Sequence, residues 1–312
     1  MQEIKFQHIF GPVPSRRLGT SLGIDVVPYK TCNFNCIYCE CGKTTNLINE
    51  RKSFFDYNKI IEEVDFFLKN CETEIDYITF SGAGEPLLNK DFEKILEFLK
   101  RKYPSYKIAL ITNGSFLYKD EIIEEIKDLD LILPSLDAGC EETFKKVNRP
   151  HKEVKFENLI YGLTNIREKF KGEIWLETFF VKNINDNDEE LEKMKKIIEK
   201  INPDKIQINT IDRPPALSKA MPLKRERLIY IKEKFGKKAE IISRQNIKKT
   251  VINENNLEIV KNCLLRRPLT LEDILKTTGI SVNEINKILS IIKPEEIKIN
   301  GKIFFKIKKE PS

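Results

Sequence analysis

Histidine is almost absent: His8 and His151 are the only two in 312 residues, and they lie far apart in polar surroundings. A triad or other histidine-based nucleophile therefore has no material to work with. No run of about 18 apolar residues exists, so no segment is expected to cross a membrane. The first ten residues interleave Gln2, Glu3, Lys5 and Gln7 with apolar ones. That leaves neither the apolar core nor the cleavage site of a signal peptide, and the expected location is the cytoplasm. Internal repeats and low-complexity tracts are missing as well. A phosphate-binding loop fails on one residue: Gly42-Lys43-Thr44-Thr45 has its ending, but Ile37 stands where the first glycine belongs.

What is present describes a water-soluble globular chain with a sizeable core. Apolar residues make up 40%, charged residues 33%, and the mean hydropathy is −0.39. The length suits roughly two domains. The net charge of +6 is unevenly spread: residues 1–220 carry 33 basic against 37 acidic side chains, 221–250 carry 10 against 3, and 251–312 carry 11 against 8. The positive surface is thus C-terminal, either a solvated helix face or a place for a polyanion to dock.

From residue 20 onward short apolar runs alternate with amphipathic stretches. The runs cover 22–27, 75–80, 108–112, 131–136, 174–181 and 206–209. Between the first two, Ile60, Ile61, Val64, Phe67 and Leu68 recur at helical spacing while Glu62, Glu63 and Asp65 take the other face. Similar patterns occupy 92–99, 122–129, 156–166 and 191–198. Strand then helix, six times, predicts a parallel sheet with right-handed crossovers. The expected architecture is α/β, an open partial (βα)6 barrel, with a flat doubly wound sheet as second choice. In both, functional loops follow the carboxyl ends of strands. The six units are expected to complete their own core by about residue 220, where Arg213-Pro214-Pro215 interrupts the pattern. A basic linker helix and connector (221–252) follow. Residues 253–312 read as helix, helix, turn at Thr278-Gly279, helix, and a hairpin about Asn300-Gly301, the order of a winged helix.

Cysteine carries the chemistry. Seven are present, an odd number without an export signal, and Cys32, Cys36, Cys39 and Cys41 fall within ten residues, directly after the first strand. Metal ligation or redox chemistry is the expectation, in place of a disulfide framework. Three thiolates within eight residues can hold three corners of an iron–sulfur cubane and leave the fourth iron open, whereas structural zinc wants four ligands, usually as two separated pairs. Cys41 is a possible fourth ligand, but the Cys39-Glu40-Cys41 spacing is tight for two corners of one cube. Cys71, Cys140 and Cys263 are scattered and read as ordinary.

The spacing Cys32-x3-Cys36-x2-Cys39, with Tyr38 before the last cysteine, resembles the cluster loop of the radical S-adenosylmethionine (SAM) superfamily. Other motifs fall after successive strands in that family's order. Ser81-Gly82-Ala83-Gly84-Glu85-Pro86 is similar to its glycine-rich loop, Thr112-Asn113-Gly114 follows the third strand, and Ser135-Leu136-Asp137 follows the fourth. The resemblance implies that Cys32, Cys36 and Cys39 bind a [4Fe–4S] cluster whose open iron chelates SAM. It also implies that one-electron reduction, by a donor such as flavodoxin or ferredoxin, yields a 5′-deoxyadenosyl radical. The expected SAM site comprises Tyr38, Gly82, Ala83, Gly84, Glu85, Thr112, Asn113, Ser135, Asp137 and Glu177, with Glu85 reaching the SAM ammonium. Residues 11–19, 136–138, 148–150 and 213–215 are similar to the wyosine-forming tRNA enzymes. No cysteine precedes Cys32, however, so the second-cluster cysteines of those enzymes are missing.

Glu177, an acid in an apolar run, is either a partnered core group or a ligand for SAM or substrate. Arg16, Arg17, Arg149 and Arg213 sit in loops or at strand ends and suit an anionic substrate. Three functions follow: a radical SAM enzyme modifying RNA, plausibly tRNA; one modifying a protein or peptide; and a cluster-based redox regulator. The third needs a fully ligated cluster and a basic recognition helix. The predicted helix at 281–292 presents Ser281, Asn283, Glu284, Asn286 and Lys287, a nearly neutral set, while Lys298, Lys302, Lys306, Lys308 and Lys309 make the hairpin and tail basic.

Overall fold

The computed structural model describes residues 6–71, 73–242, 256–299 and 301–307. The basic residues at 243–250, together with Asn300, Lys308 and Lys309, lie outside the described residues. The chain opens on a strand that the apolar runs do not announce, β1 (Ile9–Ser15), which pairs antiparallel with β2 (Gly19–Ile24). Pro12 and Pro14 are tolerable there because β1 is the edge of the sheet and donates no central ladder bonds. The pairing is irregular between Phe10 and Val13.

After β2 come the two-residue strands β3 (Thr31–Cys32) and β4 (Asn46–Leu47), which pair with each other, and then α1 (Tyr57–Asn70). Asp56 caps α1 by accepting from the Asn58 amide, and Ile60, Val64 and Leu68 form its buried stripe. The repeat then runs β5 (Tyr77–Phe80), α2 (Phe92–Lys102), β6 (Lys107–Thr112), α3 (Asp120–Ile126), β7 (Leu131–Pro134), α4 (Glu141–Val147), α5 (Phe156–Lys169), β8 (Glu173–Phe180), α6 (Asp188–Ile201) and β9 (Lys205–Thr210). All six apolar runs are strands, each within three residues of its expected start. Two elements extend the repeat: α7 (Arg225–Phe235) and a further parallel strand, β10 (Ala239–Ile241), beside β9.

The sheet order is β1-β2-β5-β6-β7-β8-β9-β10, each strand beside its predecessor in the sheet. A doubly wound sheet reverses order at a switch point; this one never does, so the second-choice architecture is excluded. Because the strands from β2 onward are parallel, all their carboxyl ends lie at one rim, and the motif loops are neighbours there. Phe80, Phe92, Phe144, Phe170 and Phe180 are fully buried, each stabilising the fold by about 1.5–3 kcal/mol.

The C-terminal residues form α8 (Asn256–Arg266), α9 (Leu271–Thr278), α10 (Val282–Ile292) and the hairpin β11 (Glu295–Ile299) with β12 (Lys302–Lys306). A capping box between Thr270 and Asp273 starts α9, and Gly279, at φ 68°, ends it. These elements share a core of Val260, Leu264, Leu269, Ile274, Ile285 and Leu289, and Val13 of β1 belongs to that same core. The Arg266 guanidinium donates to the carbonyls of Gln7 and Ile9, both at 3.3 Å. The barrel face of β1 is therefore covered by the C-terminal unit rather than by the repeat itself. Among the described residues, no helix is long and apolar enough to cross a membrane.

Candidate active site

The cysteine loop is pinned at both ends and along one edge. The β3–β4 pairing holds its start and finish. The Asn35 amide donates to the Asn148 carbonyl at 3.0 Å, and the Ile37 amide to that of Val147 at 2.9 Å, tying the loop to the end of α4. Each of the first three sulfurs then accepts from a different nitrogen: Cys32 from the Phe34 amide at 3.3 Å, Cys36 from Asn148 Nδ2 at 3.5 Å, and Cys39 from the Lys30 ammonium at 3.2 Å. Burial pushes the Cys32 thiol up to about 12 and that of Cys36 well above its usual value. Cys39 goes the other way, to about 5, first through a hydrogen bond with Cys41 and then through the Lys30 charge. Cys41 thus interacts with Cys39 and lines the same cavity.

Behind this loop lies a cavity of about 340 Å³, lined by all four of these cysteines, by the motif loops and by arginines. Three soft thiols, each with an N–H donor at its sulfur, suit an iron–sulfur cluster. Among the described residues, no three His, Cys, Asp or Glu side chains lie close enough together to ligate a single metal ion.

The glycine-rich loop touches the cysteine loop more closely than side chains permit. A Cβ on Gly84 would stand 2.0 Å from the Thr31 carbonyl oxygen, and one on Gly82 would stand 2.3 Å from the Asp25 carboxylate. Ala83 is buried and is not part of the cavity wall. Glu85 is buried and already engaged. It accepts from the Leu87 amide at 3.1 Å, the Thr112 hydroxyl at 2.7 Å and the Asn113 amide at 2.7 Å. Burial outweighs these donors and raises its carboxyl to about 7. Its visible work is to fasten the loops after β5 and β6 to each other, while one edge still faces the cavity. Asn113 extends the fastening to Asn33 at 2.7 Å.

Ser135 and Glu177 stand side by side on the wall, their strands bridged at this point. Glu177 accepts from Arg17 and from Asn209, the latter at 2.9 Å, so it is both partnered and cavity-facing. Asp137 lies behind the wall. It accepts from the Tyr38 hydroxyl, from Asn148 and from the Phe179 amide, and burial raises its carboxyl to about 6. Tyr38 stacks on Phe179 at 3.9 Å with the rings 9° apart. Asp137 therefore holds Tyr38 in place through its hydroxyl.

Three of the four arginines named from the sequence converge here. Arg16 lies 3.5 Å from Asp212, Arg17 binds Glu177, and Arg213 binds Glu40 at 2.6 Å. Burial, then the neighbouring Arg213, lowers Arg16 to about 10. Arg149 is not among them; it lies on a separate surface with Lys145, His151 and Lys152. Lys30, Asn209, Arg266 and Arg267 were not singled out by the sequence. Arg267 reaches Glu40 at 3.4 Å, so the C-terminal unit touches the residue between Cys39 and Cys41. The only sequence signal for this was the doublet Arg266-Arg267 at a helix end, which reads as an ordinary basic terminus.

A sequence model of the Radical SAM superfamily matches residues 26–197, more than half of the chain. The chain belongs to the radical SAM superfamily. It is 39% identical over 322 aligned positions to a protein of Brachyspira hyodysenteriae described as GTPase Obg, covering 98% of this chain and 46% of that protein. The chain thus spans less than half of that relative. It is 32% identical to a UPF0026 protein of Methanocaldococcus jannaschii, with 95% and 94% of the two chains covered. Its fold is similar to a structure of TYW1 with a lysine-pyruvate adduct bound, at TM-score 0.52 and 17% identity, covering 72% and 75%. Radical SAM proteins bind a [4Fe–4S] cluster and SAM, and this chain is a radical SAM enzyme.

Proposed function

We propose that Cys32, Cys36 and Cys39 hold the cluster, that SAM lies between it and the loops at Gly82–Gly84 and Asn113, and that the substrate is an RNA. Reductive cleavage of SAM at such a cluster supplies a 5′-deoxyadenosyl radical. The chain's own contribution is placement. Glu85 and Asn113 lock the rim loops, Asp137 and Phe179 fix Tyr38, and the arginines set the charge of the remaining space. The observation that carries the RNA reading is this last one. Arg16, Arg17, Arg213, Arg266 and Arg267 arrive from three separate elements at one cavity. Arg266 is half-buried and held by backbone carbonyls, and among the described residues no carboxylate lies within ion-pair distance of its guanidinium, which favours an anion such as a phosphate. Residues 256–307 support a winged-helix reading by their order of helices and hairpin, and Lys298, Lys302 and Lys306 give the hairpin positive charge.

A filter-binding titration tests the reading. Short single-stranded RNA should bind the anaerobically reconstituted chain at low salt and weaken with a slope near −0.7 per phosphate contact. Arg266→Met should weaken it further with iron content unchanged. One feature favours a protein substrate instead: α10 exposes Val282 and Ile291 beside its neutral polar residues. Binding that is absent at low salt, or insensitive to salt, selects that reading.

A further inference from the structure

Lys30 is 3% exposed, and among the described residues no carboxylate lies within ion-pair distance of its ammonium. A buried charge persists only where an opposite charge answers it. Here the answering groups are sulfurs: Lys30 Nζ donates to Cys39 Sγ at 3.2 Å, and Cys41 and Cys32 stand next in electrostatic range. We propose that Lys30 sets how readily the cluster is reduced, by holding a fixed positive charge against Cys39 from outside the cavity; this rests on the assignment of Cys39 as a ligand.

Three observations carry the assignment. The first is that Lys30 differs in kind from the other donors. Cys32 accepts from the Phe34 backbone amide and the Asn113 side-chain amide, and Cys36 from the Asn148 side-chain amide, all neutral groups. Among the described residues, the ammonium at Cys39 is thus the one charged donor to the three sulfurs. Net charge and hydrogen bonds at the sulfurs set the potential of such a cluster, and a charged donor is roughly twice as strong as a neutral one. The second is position. All three cysteines line the cavity, whereas Lys30 does not. Its ammonium reaches the sulfur from behind, out of contact with the space left for SAM and substrate. The third is the backbone. Lys30 has φ 58°, a left-handed conformation that residues with a Cβ rarely adopt. Its carbonyl is pinned by the amides of Thr45 and Asn46 at 3.3 and 3.1 Å, and the adjacent Tyr29 hydroxyl donates to the Cys41 carbonyl at 2.9 Å. These contacts fix the segment that carries the ammonium, so it meets added charge without first moving.

In the step concerned the cluster gains one electron from an external one-electron donor. No bond is made or broken, and Lys30 keeps its proton throughout. Reduction adds a negative charge beside a fixed positive one, which favours the reduced state.

An anaerobic spectroelectrochemical titration of the reconstituted full chain, without SAM, tests this. Lys30→Met should make the cluster about tenfold harder to reduce, a fall of about 59 mV in a one-electron midpoint. Lys30→Gln still donates, from a neutral group, and should lose about threefold, half of that change on the free-energy scale. Both variants keep a Cβ at φ 58°, so neither relieves the backbone. The shifts should persist at high salt, because a buried pair is screened little, whereas Lys43→Met, which removes an exposed charge from the same loop, should leave the high-salt midpoint unchanged. Iron content and SAM affinity should match the parent in all three variants. Parent-like midpoints in both Lys30 variants would overturn the assignment, and so would weakened SAM binding at an unchanged midpoint. Where Lys30→Met takes up no iron, Lys30→Gln decides; loss of iron in both would also overturn it, since Lys30 would then serve assembly and not potential. Iron content in Cys39→Ala is the separate check: iron retained there would sink the ligand assignment itself.

Discussion

Glu40 offers the sharpest test of how the site is closed. It sits between Cys39 and Cys41, is one-third exposed, and is held by Arg213, which is 7% exposed, and by Arg267 of the C-terminal unit. Burial works against its charge, but Arg213, Arg267 and Arg16 outweigh burial and keep its carboxyl far below the usual range. Glu40→Gln leaves Arg213 buried beside Arg16 with its close carboxylate gone. Removing one partner of a buried pair costs about 3–5 kcal/mol. Solvent screening at the exposed third of Glu40 brings the expectation to about 2–3 kcal/mol. The longer Arg267 contact should contribute about 0.5–1 kcal/mol, measured by combining Glu40→Gln with Arg267→Met in a double-mutant cycle. Urea unfolding of the apo-protein, followed by the single tryptophan, Trp175, supplies both numbers. The sign with pH is fixed. A depressed carboxyl contributes fully above its ordinary value of 4.5, and that contribution is lost as pH falls below it. The parent should therefore lose its advantage over Glu40→Gln on acidification. A variant within about 0.5 kcal/mol of the parent at pH 7 would refute the clamp.

Cys32→Ala, Cys36→Ala and Cys39→Ala should each abolish iron content and visible absorption after anaerobic reconstitution, whereas Cys41→Ala should keep both. Gly84→Ala should displace the cysteine loop, because its Cβ would overlap the Thr31 carbonyl, and lower iron retention while far-ultraviolet dichroism stays normal. Truncation after residue 242 should expose Val13 and Phe10 and appear as dye-binding apolar surface or lost solubility, in contrast to the self-sufficient barrel expected from the sequence. Phe179→Leu should loosen Tyr38 by about 0.5–1.5 kcal/mol, read as earlier urea unfolding.

The parallel strands were legible because each is an apolar run followed by an amphipathic helix, and the motif loops because parallel strands put every such loop at one rim. Strand β1 was not legible. Its prolines argue against a strand anywhere except an edge, and nothing local says that residues 9–15 are an edge. β10 escaped because three residues make too short a run. Glu85 and Asp137 were named from the sequence, yet what each touches depends on Thr112, Asn113 and Tyr38, partners 27, 28 and 99 positions away. Arg149 stands apart from the other three arginines for the same reason: the loop at the end of α4 opens on a different surface from the cavity. The link between Arg267 and Glu40 spans 227 positions, and sequence spacing carries no trace of it.

The sharing of one core by β1 and the helices after residue 256 also orders events during synthesis. Val13 leaves the ribosome early, but its covering helices follow roughly 240 residues later, about 12–48 s at ordinary elongation rates. Throughout that interval the cysteine loop and its β3–β4 pairing can form while the cavity lacks its roof. Docking of α8 and α9 is therefore the last step in closing the cavity, and the cysteine loop keeps one side open until the residues near Arg267 have been made.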